Sequence, residues 1–159
     1  MEFTIRNAKP ADGSVISSFN SAMAEETEGK TLDPDLIGPG VDNLLSNSDR
    51  GRYWVAEAGG SVIGQLMVTY EWSDWRNGNV WWIQSVYVHP DWRRKGVFSA
   101  LYKHVQSLAS SEPGVIGLRL YVEENNTRAQ QTYEALGMVK PNYLVMEAML
   151  GATPDDAEK

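Results

Sequence analysis

The sequence predicts an α/β fold: a mixed sheet with helices on both faces, in the order β-α-α-β-β-β-α-β-α-β-β. Three observations predict it. Short runs rich in β-branched and aromatic residues alternate with stretches whose apolar residues recur at three- and four-residue steps. Gly59-Gly60 and Asn77-Gly78 are tight-turn signals that separate strand-like runs. One strand, ending at Pro90, leads through a basic glycine-containing loop into a helix.

The elements follow in order. Phe3 to Arg6 reads as a short strand. Lys9-Pro10-Ala11-Asp12 opens a helix to about Glu26, with Val15, Ile16, Phe19, Ala22 and Met23 as its apolar stripe. Asp33-Pro34 opens a shorter helix containing Leu36, Val41, Leu44 and Leu45, which Gly38-Pro39-Gly40 is expected to interrupt. Tyr53 to Ala58 and Ser61 to Tyr70 form a hairpin, and Val80 to Val88 is the next strand. A helix from Val97 to Leu108, a strand from Gly117 to Val122 and a helix from about Asn126 to Gly137 follow. The last strand expected is Tyr143 to Met149. The reading is one domain over residues 1–150, with a loose acidic tail over 151–159.

Composition limits the function classes. With 159 residues, 42% hydrophobic and 22% charged, the chain suits a globular domain with a sizeable core. The absence of cysteine removes disulfides, thiolate nucleophiles and cysteine-based metal sites. His89 and His104 stand far from any metal-ligand pattern, so no metal is expected. No stretch approaches the ~20 apolar residues of a membrane span, and no signal peptide is visible, so a cytoplasmic location is the expectation. The net charge of −7 argues against nucleic acid and favours a cationic substrate.

The most informative stretch is Val86-Tyr87-Val88-His89-Pro90-Asp91-Trp92-Arg93-Arg94-Lys95-Gly96-Val97-Phe98-Ser99. Its basic run falls at a helix N-terminus, where unpaired N–H groups and the positive end of the helix dipole suit a phosphate or pyrophosphate. Gly96 allows close approach to the backbone. A bare basic run at a helix start also occurs as an ordinary solvated face. A second motif, Asn126-Thr127-Arg128-Ala129-Gln130-Gln131-Thr132-Tyr133-Glu134-Ala135-Leu136-Gly137-Met138, follows a strand. Asn125 or Asn126 can cap this helix and Gly137 can end it. Ala129, Tyr133 and Leu136 share one face, which could pass a thin chain beside a phenol or simply pack in a core.

Together the two segments resemble the GNAT superfamily of N-acetyltransferases. Arg93-Arg94-Lys95-Gly96-Val97-Phe98 stands at the family's phosphate loop, and Asn126-x-x-Ala129, Tyr133 and Gly137-Met138 at its second signature. The resemblance implies a mostly antiparallel sheet of about seven strands, splayed between strands 4 and 5. It implies transfer of acetyl from acetyl-CoA to a primary amine of a small molecule, by direct attack in a ternary complex. Val86, Tyr87, Val88, Arg93, Arg94, Lys95, Gly96, Val97, Phe98, Ser99, Asn126, Ala129 and Tyr133 would bind the co-substrate. A backbone N–H of Val86 or Val88 would meet the developing oxyanion, and Tyr133 would protonate the leaving thiolate. A homodimer is a further family expectation.

Two positions depart from the family pattern. Phe98 replaces a glycine or alanine and must point away from the pyrophosphate, or the loop must shift. Gln84-Ser85 stands where many members carry a glutamate, so a water relay ending on Glu71 or Glu26 is the expected route for the amine's proton, with His89 or capture of neutral amine as alternatives. The segment Tyr70 to Trp82 holds four of the six tryptophans and two acids. It is the expected acceptor region, with Trp72, Trp75, Trp82, Gln84 and Glu26 as substrate-binding residues and Glu71 as a catalytic one. It resembles the diamine acetyltransferase branch, although tryptophans also fill strand pairs and dimer interfaces. Two further readings stand beside the small-amine enzyme: a non-catalytic acyl-CoA-binding module and a protein or peptide N-acetyltransferase.

Overall fold

The computed structural model describes residues 2–151, so 152–159 of the expected acidic tail lie outside the described residues. The chain separates into two compact units that meet between Tyr121 and Val122. The first unit carries a five-stranded sheet ordered β1-β2-β3-β4-β5. The strands are β1 (Thr4–Asn7), β2 (Arg52–Ala58), β3 (Ser61–Ser73), β4 (Gly78–Val88) and β5 (Val115–Leu120). The first three pairings are antiparallel, and β4 with β5 is parallel. The sheet is thus mixed and mostly antiparallel as expected, with five strands instead of about seven among the described residues.

Both predicted turns form. Gly59 and Gly60 take φ of 56° and 80°, which suits the turn between β2 and β3. Asn77 takes φ 50° just before β4, and Gly78 sits where an added Cβ would lie 2.9 Å from the Gly114 carbonyl oxygen.

Strand alternation divides the core. Tyr53, Val55 and Met67 project to one face, where they pack with Ile16 of α1 (Gly13–Glu28) and Val41 of α2 (Pro34–Leu45). Trp54, Leu66 and Gly64 project to the other face. A Cβ on Gly64 would meet Val97 and Leu101 of α3 (Val97–Ser111), which places that helix against this second face. Ile16, Trp54, Val55, Leu66, Val68, Leu101 and Val105 are fully buried. Fully burying each such side chain contributes about 1.5–3 kcal/mol before entropy is counted.

Three expectations are corrected here. The helix α2 runs unbroken through Pro39, with Asp33 capping the Asp35 N–H at 2.9 Å. One proline removes a single i→i−4 bond, and burial of Val41, with Ile37, Leu44 and Leu45 packed beside it, outweighs that loss. Leu36 is 71% exposed, and Ile37 takes the inward place one step along the helix. Finally, Tyr143 to Met149 forms no strand. Strand propensity needs an edge to pair with, and this segment has no ladder partner within its unit.

The second unit carries α4 (Thr127–Ala135). Asn126 caps it, its side-chain oxygen accepting from the Ala129 N–H at 3.1 Å. Gly137 ends it at φ 98°, with the Met138 N–H donating to the Tyr133 carbonyl at 3.0 Å.

Candidate functional site

The loop Arg93 to Gly96 lies where the sequence placed it, at the start of α3. Arg94 and Gly96 are both left-handed, with φ of 62° and 80°. Glycine suits this geometry, and space around its missing Cβ is open. No side chain caps α3 at Gly96, and the positive end of the helix dipole lies at this loop. A glycine turn leading into a helix start is a geometry that suits an anion. The Phe98 ring lies 6.2 Å from that of Tyr102, one turn further along α3.

The three cations divide their work. The Arg93 Nε donates to the Val88 carbonyl at 3.0 Å, and its Nη2 to Glu26 Oε2 at 2.8 Å. Tyr87 donates its hydroxyl to Glu26 Oε1 at 3.0 Å, and the Arg93 guanidinium lies over the Tyr87 ring. Arg93 therefore clamps α1 to the end of β4. Lys95 lies over the Trp92 ring, and neither Arg94 nor Lys95 forms an ion pair among the described residues. The Arg93 guanidinium holds the Glu26 carboxyl below its usual range, with some opposition from burial and help from Tyr87.

The outer half of β4 has no ladder partner on its β5 side among the described residues. Pairing with β5 runs from Asn79↔Val115 to Ile83↔Leu120 and stops there. Gln84, Ser85, Val86, Tyr87 and Val88 continue β4 with no β5 partner. Their β3 pairing is irregular: Met67 opposes Gln84 and Gln65 opposes Tyr87, so Ser85 and Val86 together face Leu66. This is a bulge. Ser85 sits at φ 50°, a left-handed conformation that costs an L-residue roughly 1–2 kcal/mol.

A buried polar chain surrounds the bulge. Gln65 is fully buried, and its Nε2 donates to the Ser85 carbonyl at 3.0 Å and to Asn20 Oδ1 at 2.9 Å. Asn20 Nδ2 donates to the Tyr53 hydroxyl oxygen at 3.1 Å. Burial pushes the Tyr53 hydroxyl up, against smaller opposing hydrogen bonds from Asn20 and the Ser85 side chain. Gln65 Oε1 finds no partner among the described residues, a loss of roughly 1–3 kcal/mol. Sequence reasoning missed Asn20, Tyr53 and Gln65. The available signal was polar residues at inward positions of apolar patterns, on α1, β2 and β3.

Asn20, Tyr53 and Ser85 form the polar end of a cavity of about 410 Å³ between α1, α2 and the sheet. Its other walls are mostly apolar, including Met23, Ile37, Val41 and Met67. Glu28 and Thr27 also line it.

The structure does not gather the tryptophan-rich segment into one cluster. Trp81 is buried on the α3 face beside Trp54, with ring centroids 5.9 Å apart. Trp82, Gln84 and Glu71 project to the α1–α2 face, as their pairing with Thr69, Met67 and Val80 requires. There, Glu71 Oε1 accepts from Arg119 at 2.6 Å and from the Trp82 indole at 3.1 Å, and Gln84 donates to the Thr69 hydroxyl. Trp72 is exposed near the hairpin end, opposite Asn79 and about 20 Å along β4 from Ser85. Trp75 is 91% exposed. His89 Nδ1 accepts from the Asp91 N–H at 3.2 Å. In the second unit, Ala129, Tyr133 and Leu136 are half-buried along one side of α4. Burial pushes the Tyr133 hydroxyl up, which keeps it a proton donor at neutral pH.

Among the described residues no group of three or more His, Cys, Asp or Glu could hold a metal, and no helix is long and apolar enough to cross a membrane.

Residues 19–138 match the acetyltransferase (GNAT) family, and the chain belongs to that family. A thialysine N-epsilon-acetyltransferase of Bos taurus is 34% identical over 79 residues, half of this chain. The match spans 45% of the bovine protein. The crystal structure of a possible acetyltransferase from Clostridium difficile 630 superposes with a TM-score of 0.89 at 43% identity, covering 94% of this chain and 99% of that one. A predicted acetyltransferase from Clostridium acetobutylicum, crystallised with acetyl-CoA, shares the fold at TM-score 0.76 and 18% identity, covering 95% and 99%.

Proposed function

We propose that this chain transfers the acetyl group of acetyl-CoA to a primary amine by direct attack in a ternary complex. The observation that carries this reading is the stretch of β4 from Gln84 to Val88 that β5 leaves unpaired, leading directly into the glycine turn at the start of α3. Acetyl-CoA would supply an activated acyl carbon as its thioester. Main-chain donors from Arg94 to Ser99, with Arg94 and Lys95, hold the diphosphate, and Arg93 fixes the loop through Val88. The main chain of Val86 to Val88 offers ladder partners to the amide-containing arm. A main-chain N–H of Val86 or Val88 meets negative charge developing on the thioester oxygen. The amine nitrogen bonds to the acyl carbon, the carbon–sulfur bond breaks, Tyr133 gives its proton to the departing sulfur, and the proton shed by the nitrogen as the amide forms passes through solvent to restore the Tyr133 hydroxyl. Asn126 positions this helix start, and Ala129 leaves room beside it.

The acceptor enters the cavity of about 410 Å³ whose polar end is Asn20, Tyr53 and Ser85. Trp82, Gln84 and Glu71 extend the same face of the sheet. Its mostly apolar walls favour an amine on an apolar body over a diamine, which needs a carboxylate at each end. Glu26 and Glu71 each accept a hydrogen bond from an arginine, and Gln84 cannot act as a base. Capture of the neutral amine is therefore the favoured route. The same occupancy supports the second reading, a module that binds acyl-CoA without turnover.

The test pairs calorimetric titration of CoA with thiol release from acetyl-CoA across aliphatic amines, arylalkylamines and diamines. The reading expects binding, turnover and a kcat at least tenfold lower in Tyr133→Phe with CoA affinity within twofold. Binding without turnover selects the sensing module, and no binding overturns both.

A further inference from the structure

We infer that Gln65, which touches neither substrate in the proposed reaction, is a positioning residue that holds the β4 bulge in its active shape. The inference rests on the acetyl-transfer reading for its kinetic readout and on geometry alone for its structural one. Ser85 is left-handed at a bulge position where glycine would be relaxed. Its carbonyl leaves the ladder and accepts the Gln65 Nε2 at 3.0 Å. The same Nε2 reaches Asn20 on α1 at 2.9 Å, and Asn20 in turn reaches Tyr53 on β2. Three elements thus converge on one peptide of β4. Gln65 is fully buried and leaves its Oε1 without a partner among the described residues. A methionine or leucine there would pack the same volume and remove the orphan oxygen, but would leave the Asn20 Oδ1 and the Ser85 carbonyl without their donor. A buried amide that leaves its own oxygen unpaired while bonding to a strained carbonyl is explained by what it holds. What it holds is the pair Ser85–Val86, whose main-chain groups the bulge frees within the stretch of β4 that β5 leaves unpaired. The same peptide forms the polar end of the acceptor cavity. Gln65 therefore fixes the spacing between acceptor and acyl carbon, where small displacements have large effects on rate.

The experiment compares wild type, Gln65→Met and Gln65→Met with Ser85→Gly. Thermal melting, CoA affinity, kcat and a crystal structure of each are measured. The inference expects Gln65→Met to fold with a lower Tm, to bind CoA within threefold of wild type, and to lose at least tenfold in kcat. Its structure should show Ser85 relaxed to negative φ. Glycine at 85, which holds a positive φ without a clamp, should return at least half of the lost activity on a logarithmic scale. Should Gln65→Met not fold, Gln65→Leu, which also lacks the donor, replaces it with the same expectations for kcat and for Ser85. The inference is overturned by a kcat within threefold of wild type, by failure of the glycine rescue, or by a variant structure that keeps Ser85 near φ +50°. A wild-type protein with no turnover sinks the acetyl-transfer reading, and the structural comparison then decides the clamp by itself.

Discussion

At the residue scale, the side chains most constrained by the fold are those the sequence made hardest to see. Asp12 shows how one buried carboxylate contributes to stability. It accepts both Nη atoms of Arg6, at 2.8 and 3.0 Å, and the Lys9 N–H at 2.7 Å. The Arg6 guanidinium holds its carboxyl below the ordinary value of 3.8, against partial burial. A depressed folded value gives stability that is present above the unfolded value and lost as pH falls through the folded one. Asp12→Asn should therefore cost about 1–3 kcal/mol at pH 7, and the difference from wild type should shrink below about pH 4. Urea unfolding at pH 7 and pH 3 checks this, and an undiminished difference at pH 3 contradicts it. The loop residues Arg93 to Ser99 were legible because their chemistry is local: cations, a glycine and a helix start. Gln65, Asn20 and Tyr53 were not, because their meeting requires α1, β2 and β3 to be packed first.

At the element scale, turns were the most legible feature, since glycine and asparagine at a tight turn answer a local steric demand. Gly78 carries a second demand that only the tertiary structure reveals. A Cβ there would lie 2.5 Å from Ile116 Cγ2 and 2.9 Å from the Gly114 carbonyl, where β4 meets the start of β5. The side chain could turn aside, but the carbonyl belongs to main chain. Gly78→Ala should cost on the order of 2 kcal/mol and melt at lower temperature by several degrees. A melting point within a degree of wild type would show that this junction yields. Helix α2 teaches the opposite lesson. Pro39 and two glycines predicted a break, yet the inward row from Ile37 to Leu45 held the helix together, because packing outweighs propensity.

At the scale of the whole molecule, charge and the proposed proton route give measurable signatures. A chain of net charge −7 would attract the proposed ammonium acceptor at long range, while the loop proposed to hold the diphosphate is locally basic. Added salt should weaken both steps, raising KM for amine and for acetyl-CoA together between 0.05 and 0.5 M, as flagged by a Debye length that falls from roughly 14 to 4 Å. If only the minor neutral amine reacts, log kcat/KM for the amine should climb with a slope of about one per pH unit from pH 6 to 9. A plateau near pH 7 would instead reveal a base with a depressed or ordinary acidic pKa. Tyr133, pushed up by burial, stays protonated across that range and adds no break to the profile.

The sequence by itself determined the strand–loop–helix proposed to hold an anion, the two tight turns, the capping of α4 at Asn125 or Asn126 and membership of the acetyltransferase (GNAT) family. These rest on contacts between near neighbours, which a short stretch of residues specifies. Only the tertiary structure decided that β4 and β5 part after Ile83, that alternation sends Trp81 and Trp82 to opposite faces, and that Gln65 reaches the peptide of Ser85. Each depends on strand register and on which element lies opposite, and a single residue's displacement in register reverses every side chain's direction.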